Sequence, residues 1–229
     1  MKSFEIITIL LTAGSLLSLF FYRSKGPFLY LLFLAAIAAI VQYLSDGLRW
    51  QMLATIYILP AMFITYKYKI VNRFTGTILG AWFLISGFIP WAVPVFTMPA
   101  PEGDFSIGSE TFHWVDSSRL EWFTDENDND VREIMVQAWY PSENSDSIGT
   151  NSYMDFMNLR SKTLASAGKI PAFLPSHLNM ISTNTRQDVA CSNKLEKYPV
   201  LIFSHGITVS RHLHQILFEH LASKGYVVF

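Results

Sequence analysis

Residues Tyr198–Phe229 read Y-P-V-L-I-F-S-H-G-I-T-V-S-R-H-L-H-Q-I-L-F-E-H-L-A-S-K-G-Y-V-V-F. An apolar run, Val200 to Phe203, predicts a buried strand that leads into a Ser-His-Gly turn. An amphipathic helix follows, and a second apolar strand starts at Tyr226. This is a strand-turn-helix-strand unit, the repeating element of a parallel α/β sheet. A central strand needs a neighbour to cover it, so the chain is read as an N-terminal fragment carrying an incomplete parallel sheet.

Within this unit, Gly206 supplies the backbone freedom for a sharp exit from the strand. Ligands of parallel α/β sheets lie beyond the carboxyl ends of the strands, where this turn falls. Backbone N–H groups there, beside a helix N-terminus, can stabilise an oxyanion, and Ile207 can supply one although its side chain is inert. Ser210 is the expected helix N-cap. Leu213, Ile216, Leu217, His220 and Leu221 form the expected core-facing stripe. His205 lies in the turn, where it braces the loop or lines the site. His212, His214 and His220 lack carboxylate or cysteine neighbours at zinc spacing, and His113 and His177 stand alone.

Composition divides the chain in two. Of its 229 residues, 51% are apolar and 15% charged, with mean hydropathy +0.28. That charge content is well below the roughly 25% of soluble domains. Residues 1–101 carry seven Lys/Arg against two Asp/Glu, and residues 102–229 carry ten against sixteen. The acidic second half argues against nucleic acid as a partner. The single cysteine, Cys191, excludes an intrachain disulfide and any multi-cysteine metal site.

Four uncharged segments precede the composition shift: Ile6–Tyr22, Gly26–Ser45, Trp50–Tyr66 and Phe74–Pro101. Each is long enough to cross about 30 Å of hydrocarbon. They predict a multi-pass membrane anchor of four helices over residues 1–98, with the lipid bilayer as partner. Arg23 and Lys25 in the first loop, and Lys67, Lys69 and Arg73 in the third, place those loops in the cytoplasm. Everything after Phe96 is then extracytoplasmic. Glu5 is the only ionisable residue at a span's edge, so the pattern reads as an anchor rather than an ion pathway. Gly76 and Gly80 have small-xxx-small spacing, read as helix packing.

Residues 99–103 form a short linker, and residues 104–229 the α/β part. Thr111–Val115 and Arg132–Tyr140 are predicted strands joined through the acidic turn Thr124–Asp130. That turn lacks the glycine and glutamate of a calcium loop and reads as a solvated hairpin tip. Residues 142–197 are a polar, lid-like or irregular insertion with a helical patch at Tyr153–Ala167. A serine nucleophile needs G-x-S-x-G between a strand and a helix. D-F-S-I-G, L-A-S-A-G and I-F-S-H-G, around Ser106, Ser166 and Ser204, all lack the first glycine.

P-V-L-I-F-S-H-G-I-x-x-S-R with L-A-S-K-G-Y-V-V, preceded by D-x-S-R-x-E-x-F-T at Asp116–Thr124 and R-E-I-M-V-Q-A-W-Y-P-S, resembles the α/β hydrolases related to platelet-activating factor acetylhydrolase (isoform II). Dienelactone hydrolase-like enzymes share the strand and S-H-G turn. The resemblance covers about residues 100–229. It implies a serine esterase that acts through an acyl-enzyme without a cofactor, on carboxylic esters such as short-acyl phospholipids. It places one oxyanion N–H on Ile207, with His205 and Gly206 supporting the turn. It puts the nucleophile and the rest of the triad past Phe229. The competing expectation is a non-catalytic membrane sensor or binding protein that reuses the fold.

Overall fold

The computed structural model describes residues 2–21, 26–47, 49–122, 127, 129–143, 149–206 and 210–229. The chain divides into two compact units: residues 1–96 with 158–177, and residues 97–157 with 178–229.

The first unit is built on four helices: α1 (Ser3–Phe21), α2 (Gly26–Asp46), α3 (Trp50–Lys67) and α4 (Arg73–Ala92). Three of them, α1, α2 and α4, are long and apolar enough to cross a membrane. The four expected spans are thus four helices, of which α3 does not reach that standard, because its 18 residues include Gln51, Pro60 and Lys67. The last helix stops at Ala92 rather than running to Pro101. Pro94 disfavours helical geometry at Val93, and the backbone leaves the helix there.

The bundle has an apolar core of Phe28, Leu32, Ala35, Ile58, Leu59 and Met62 among others, to which α1 turns a mostly polar face. Helix α1 buries Glu5, Thr8, Thr12, Ser15, Ser18 and Leu19, whereas Leu10, Leu17 and Phe21 are exposed. A helix in water has the opposite pattern. Hydroxyls on the inner face are satisfied by the helix itself: Thr8, Thr12 and Ser15 donate to the carbonyls of Phe4, Thr8 and Leu11 at 2.7–2.8 Å. Small inner side chains bring the helices close. A Cβ on Gly76 would come within 3.2 Å of the Phe20 ring, while one on Gly80 would meet nothing. The expected helix-packing role therefore belongs to Gly76. The same unit includes α5 (Met157–Gly168) from Asn158 onward and the start of a 3-10 helix (Leu174–Met180). Trp50 donates its indole N–H to the Leu174 carbonyl at 3.1 Å and packs edge-on to Phe173.

The second unit is organised by a long antiparallel hairpin, β1 (Ser106–Leu120) and β2 (Val131–Ser142). Its register runs from Ser106 opposite Ser142 to Asp116 opposite Arg132, with an irregularity between Asp116 and Leu120. Both predicted strands are present and longer than expected. Phe123–Glu126 and Asp128 of the acidic tip lie outside the described residues. The other strands are β3 (Thr185–Gln187), β4 (Val200–Leu201) and β5 (Val227–Val228). The sheet order is β3-β1-β2-β5-β4. Strands β4 and β5 are parallel, as the strand-turn-helix-strand reading requires, and β3 runs parallel to β1. The hairpin and the β2–β5 pair are antiparallel. The expected parallel sheet is therefore a mixed one.

Helix α6 (Gln215–Ser223) packs on the sheet, where Ile107, Trp139, Phe218, Ala222 and Val228 form one buried cluster. The expected stripe is the wrong face: Leu213, Ile216 and Leu217 are about half exposed. The helix instead buries Gln215, Phe218, Glu219 and Ala222. Phe218 stacks against Trp139 at 4.8 Å, and this contact sets the rotation. Gln215 and Glu219 follow it inward, where they bond to each other at 3.0 Å.

Glu219 also accepts from the Asn184 backbone and side-chain amides at 3.3 and 2.7 Å. These donors are neutral, and burial raises the Glu219 carboxyl above its ordinary value despite the bonds. A raised folded-state pKa contributes stability that is full below the ordinary glutamate value, about 4.3. That contribution is lost as pH climbs through the raised one. Glu219→Gln should therefore gain on wild type as pH rises from 5 to 8, measured as the difference in urea midpoint. A constant difference across that range would contradict the assignment.

Candidate functional site

The turn after β4 is held by the parallel ladder. Phe203 donates its amide to the Phe229 carbonyl at 2.7 Å, and Phe229 donates to Leu201 at 2.9 Å. Beyond Phe203 the chain leaves the sheet through Ser204, His205 and Gly206, all exposed. His205 Nδ1 lies 3.0 Å from the Gly206 carbonyl, so its tautomer with hydrogen on Nδ1 braces the turn. Ile207, the expected oxyanion donor, lies outside the described residues with Thr208 and Val209.

The chain re-enters at Ser210, whose extended backbone (φ −115°, ψ 161°) precedes a 3-10 helix, Arg211–His214. Ser210 occupies the expected N-cap position but makes no side-chain cap bond. Its hydroxyl lies 3.5 Å from His212 Nδ1. Phe203 packs against His214 and Phe218 at 4.9 and 5.0 Å, returning this helix to the end of β4.

Strand β4 is an edge strand and is not buried as expected: Val200 is 57% exposed and Ile202 87%. Beside it lies a cleft of about 620 Å³, not foreseen from the sequence, lined by Trp114, Met135, Trp139, Ile202, Phe203 and His205 among others. Trp139 is opposite Val228 and Leu201 is opposite Val228 on the other side. The cleft therefore lies between the part of β2 before Trp139 and the chain after Leu201, at the carboxyl end of β4.

A polar network that sequence spacing gave no sign of fixes the start of the helix. Arg211 donates from Nη2 to Asp155 Oδ2 at 2.6 Å and from Nε to Gln137 Oε1 at 2.8 Å. Gln137 donates onward to Ser109 Oγ at 2.9 Å. His212, 2% exposed, brings Nε2 to 3.3 Å from Asp155 Oδ1. Ser210, His212 and Asp155 thus fall in a serine–histidine–carboxylate line, but the Ser210 contact is long. The imidazole is also sealed from solvent, so the line lacks the access a nucleophile needs.

The three serines of the near-miss elbows are placed as follows. Ser106 opens β1, Ser166 lies within α5, and Ser204 precedes the turn. None stands at the tip of a strand-to-helix turn. Among the described residues no group of three His, Cys, Asp or Glu could hold a metal. His113 does not stand alone, since its Nε2 meets Glu133 at 2.7 Å across the hairpin. The D-x-S-R signature closes the end of β1. Asp116 accepts from the Ser118 amide and hydroxyl at 3.0 and 2.6 Å and from Arg119 Nε at 2.6 Å. The Ser118 hydroxyl, with Arg119, holds the Asp116 carboxyl down to about 2.

The sheet thus sets the β1–β2 hairpin beside a parallel pair, β4 and β5, that is joined through the Ser204-His205-Gly206 turn and α6. Residues 93–229 match the family described as platelet-activating factor acetylhydrolase, isoform II, and the chain belongs to that family. It is 28% identical over 140 residues to a platelet-activating factor acetylhydrolase of Cavia porcellus, covering 58% of this chain. The match spans only 28% of that relative's length. A solved ferulic acid esterase from Streptomyces cinnamoneus is similar at 27% identity with a TM-score of 0.45. That likeness covers 59% of this chain and 35% of the esterase.

Proposed function

We propose that this chain is the N-terminal portion of a membrane-anchored serine esterase that acts on carboxylic esters, including short-acyl phospholipid esters. Family membership supports the hydrolase chemistry. The observation that carries the site is the position of the Ser204-His205-Gly206 turn, at the carboxyl end of the parallel strand β4. In this reading the Ile207 N–H faces the developing oxyanion, and His205 and Gly206 shape the loop that presents it. The reaction runs through an acyl-serine: the nucleophile attacks the ester carbonyl, the alcohol leaves with a proton, and water releases the acid.

The nucleophile, acid and histidine are not assigned to any residue of this chain. The 229-residue chain alone is expected to hydrolyse no p-nitrophenyl ester above background and to take up no fluorophosphonate probe. Turnover or labelling that depends on the chain would refute this reading of the site.

The length and apolarity of α1, α2 and α4, with large hydrophobic side chains such as Leu10, Phe33 and Leu84 exposed on their outer faces, support the anchor. An anchor holds the esterase near lipid substrates and raises their effective concentration. Residues 142–197 are read as a lid-like or irregular insertion, apart from Thr185–Gln187, which is a strand of the sheet. The hydrolase-like part is placed outside the cytoplasm of a plasma or cytoplasmic membrane. Protease added to right-side-out vesicles should cut within residues 102–229, and protection of that region would reverse the topology.

A further inference from the structure

We infer that Asp155 is a positioning residue that fixes the helix behind the Ser-His-Gly turn by clamping Arg211 and His212 to the insertion while Arg211 also bonds Gln137 on β2. The inference rests on the reading of that turn as the oxyanion loop. It assigns to the insertion a role in holding the turn's far side.

Three parts of the chain converge on this clamp. Asp155 comes from the insertion, two residues before α5; Arg211 and His212 begin the 3-10 helix; Gln137 lies on β2. One carboxylate serves both helix residues, Oδ2 accepting from Arg211 at 2.6 Å and Oδ1 lying 3.3 Å from His212. The guanidinium passes the connection to the sheet through Gln137 at 2.8 Å. From there it reaches β1 at Ser109, 2% exposed. The Tyr153 ring stands edge-on to His212 at 6.5 Å and closes the insertion side.

The turn itself has little else to hold it. Ser204, His205 and Gly206 are exposed, and the bond of His205 is to its own neighbour. Ser210 contributes no cap bond to the helix. Among the described residues, the chain is anchored by the β4 ladder up to Phe203 and by the clamp from Arg211 onward. Oxyanion stabilisation requires donors fixed before the charge develops. A misplacement of about 1 Å can cost on the order of a hundredfold in rate. A charge-assisted, nearly bidentate anchor is suited to that demand.

Hydrogen exchange on the whole 229-residue chain in detergent micelles tests the clamp without turnover. Failure of the esterase reading would appear instead in probe labelling, so the two are separable. Asp155→Asn, which keeps the shape and removes the charge, should speed exchange of the amides over residues 203–214 by about tenfold or more. The β2 amides at 136–140 serve as the reference and should not change. Asp155→Glu should restore exchange to near the wild-type rate. Arg211→Lys keeps the charge but loses the forked contact to Gln137 and Asp155, and should loosen the same segment. Unchanged exchange over 203–214 in Asp155→Asn and Arg211→Lys would overturn the proposal. Equal acceleration in the β2 reference would also overturn it, since Asp155 would then support the whole unit rather than position this helix.

Discussion

Trp139→Ala should cost the sheet-bearing unit about 3–5 kcal/mol, the range for truncating a large buried aromatic. Domains are stable by about 5–15 kcal/mol in all, so this loss is a large fraction of the unit's whole stability. Trp139 is 1% exposed and lies at the centre of the cluster that joins the hairpin to α6 and β5. It stacks on Phe218 at 4.8 Å and stands opposite Val228 on β5. Its removal leaves a cavity whose walls belong to three elements, which cannot all close in together. Trp139→Phe should cost much less. The indole N–H is buried without a hydrogen-bond partner among the described residues, and losing it offsets part of the lost contact. Urea pulse proteolysis of the micelle-bound chain, read on fragments from residues 97–229, separates the cases. Equal midpoints for Trp139→Ala and wild type would show that the cluster does not organise this unit.

The hairpin around Trp139 was legible because its chemistry is local. R-E-I-M-V-Q-A-W-Y is rich in β-formers and stops at a proline, which is enough to read a strand, whereas its register against β1 is not in the local sequence. The face of α6 was not legible. Leu213, Ile216 and Leu217 form an apolar stripe as regular as the one holding Phe218 and Ala222. Periodicity cannot choose between two such stripes on one short helix. The choice was made by Trp139, far away in sequence, and by Asn184, which satisfies Glu219 once the carboxylate turns inward. Strand β3 was missed for a related reason. Thr185-Arg-Gln187 has no apolar alternation, and its place beside Ile107–Ser109 comes from tertiary pairing. The Ser-His-Gly turn could be read directly from its strand and glycine. Asp155 could not, because it lies 56 residues before Arg211 and no spacing rule connects a clamp of that separation.

In the helical unit, Arg49→Leu should destabilise the bundle by about 3–5 kcal/mol, while Glu5→Leu/Arg49→Leu should lie within about 1 kcal/mol of wild type or above it. The sequence places Glu5 at the edge of a span and Arg49 in a loop. The structure buries both, at 0% and 1% exposure, and pairs them directly through Arg49 Nη1 and Glu5 Oε1. Arg49 Nη2 also donates to the Val93 carbonyl at 3.1 Å, which Gln51 Nε2 approaches at 3.3 Å. The starts of α1 and α3 and the end of α4 are therefore tied at one end of the bundle. Lys2 and Asp46 form a second ion pair between α1 and the end of α2, at 3.3 Å. Removing one member of a buried pair strands the other in a low-dielectric interior, whereas removing both exchanges two desolvation penalties for packing. The asymmetry between single and double variants identifies an ion pair and separates it from mere loss of volume. Titration with SDS from mild micelles, followed by helical circular dichroism, gives the three stabilities. If the double variant loses as much as Arg49→Leu alone, the contribution of Arg49 is packing and its bond to Val93, and the pair with Glu5 is incidental. A paired Arg49 also bears on topology. Its charge is compensated within the bundle and does not weigh on the α2–α3 loop, so the excess of Lys67, Lys69 and Arg73 in the α3–α4 loop becomes larger by comparison. Glu5→Leu alone would release that charge. Protease accessibility of residues 102–229 in vesicles should then fall below the wild-type value if Arg49 competes for the cytoplasmic side.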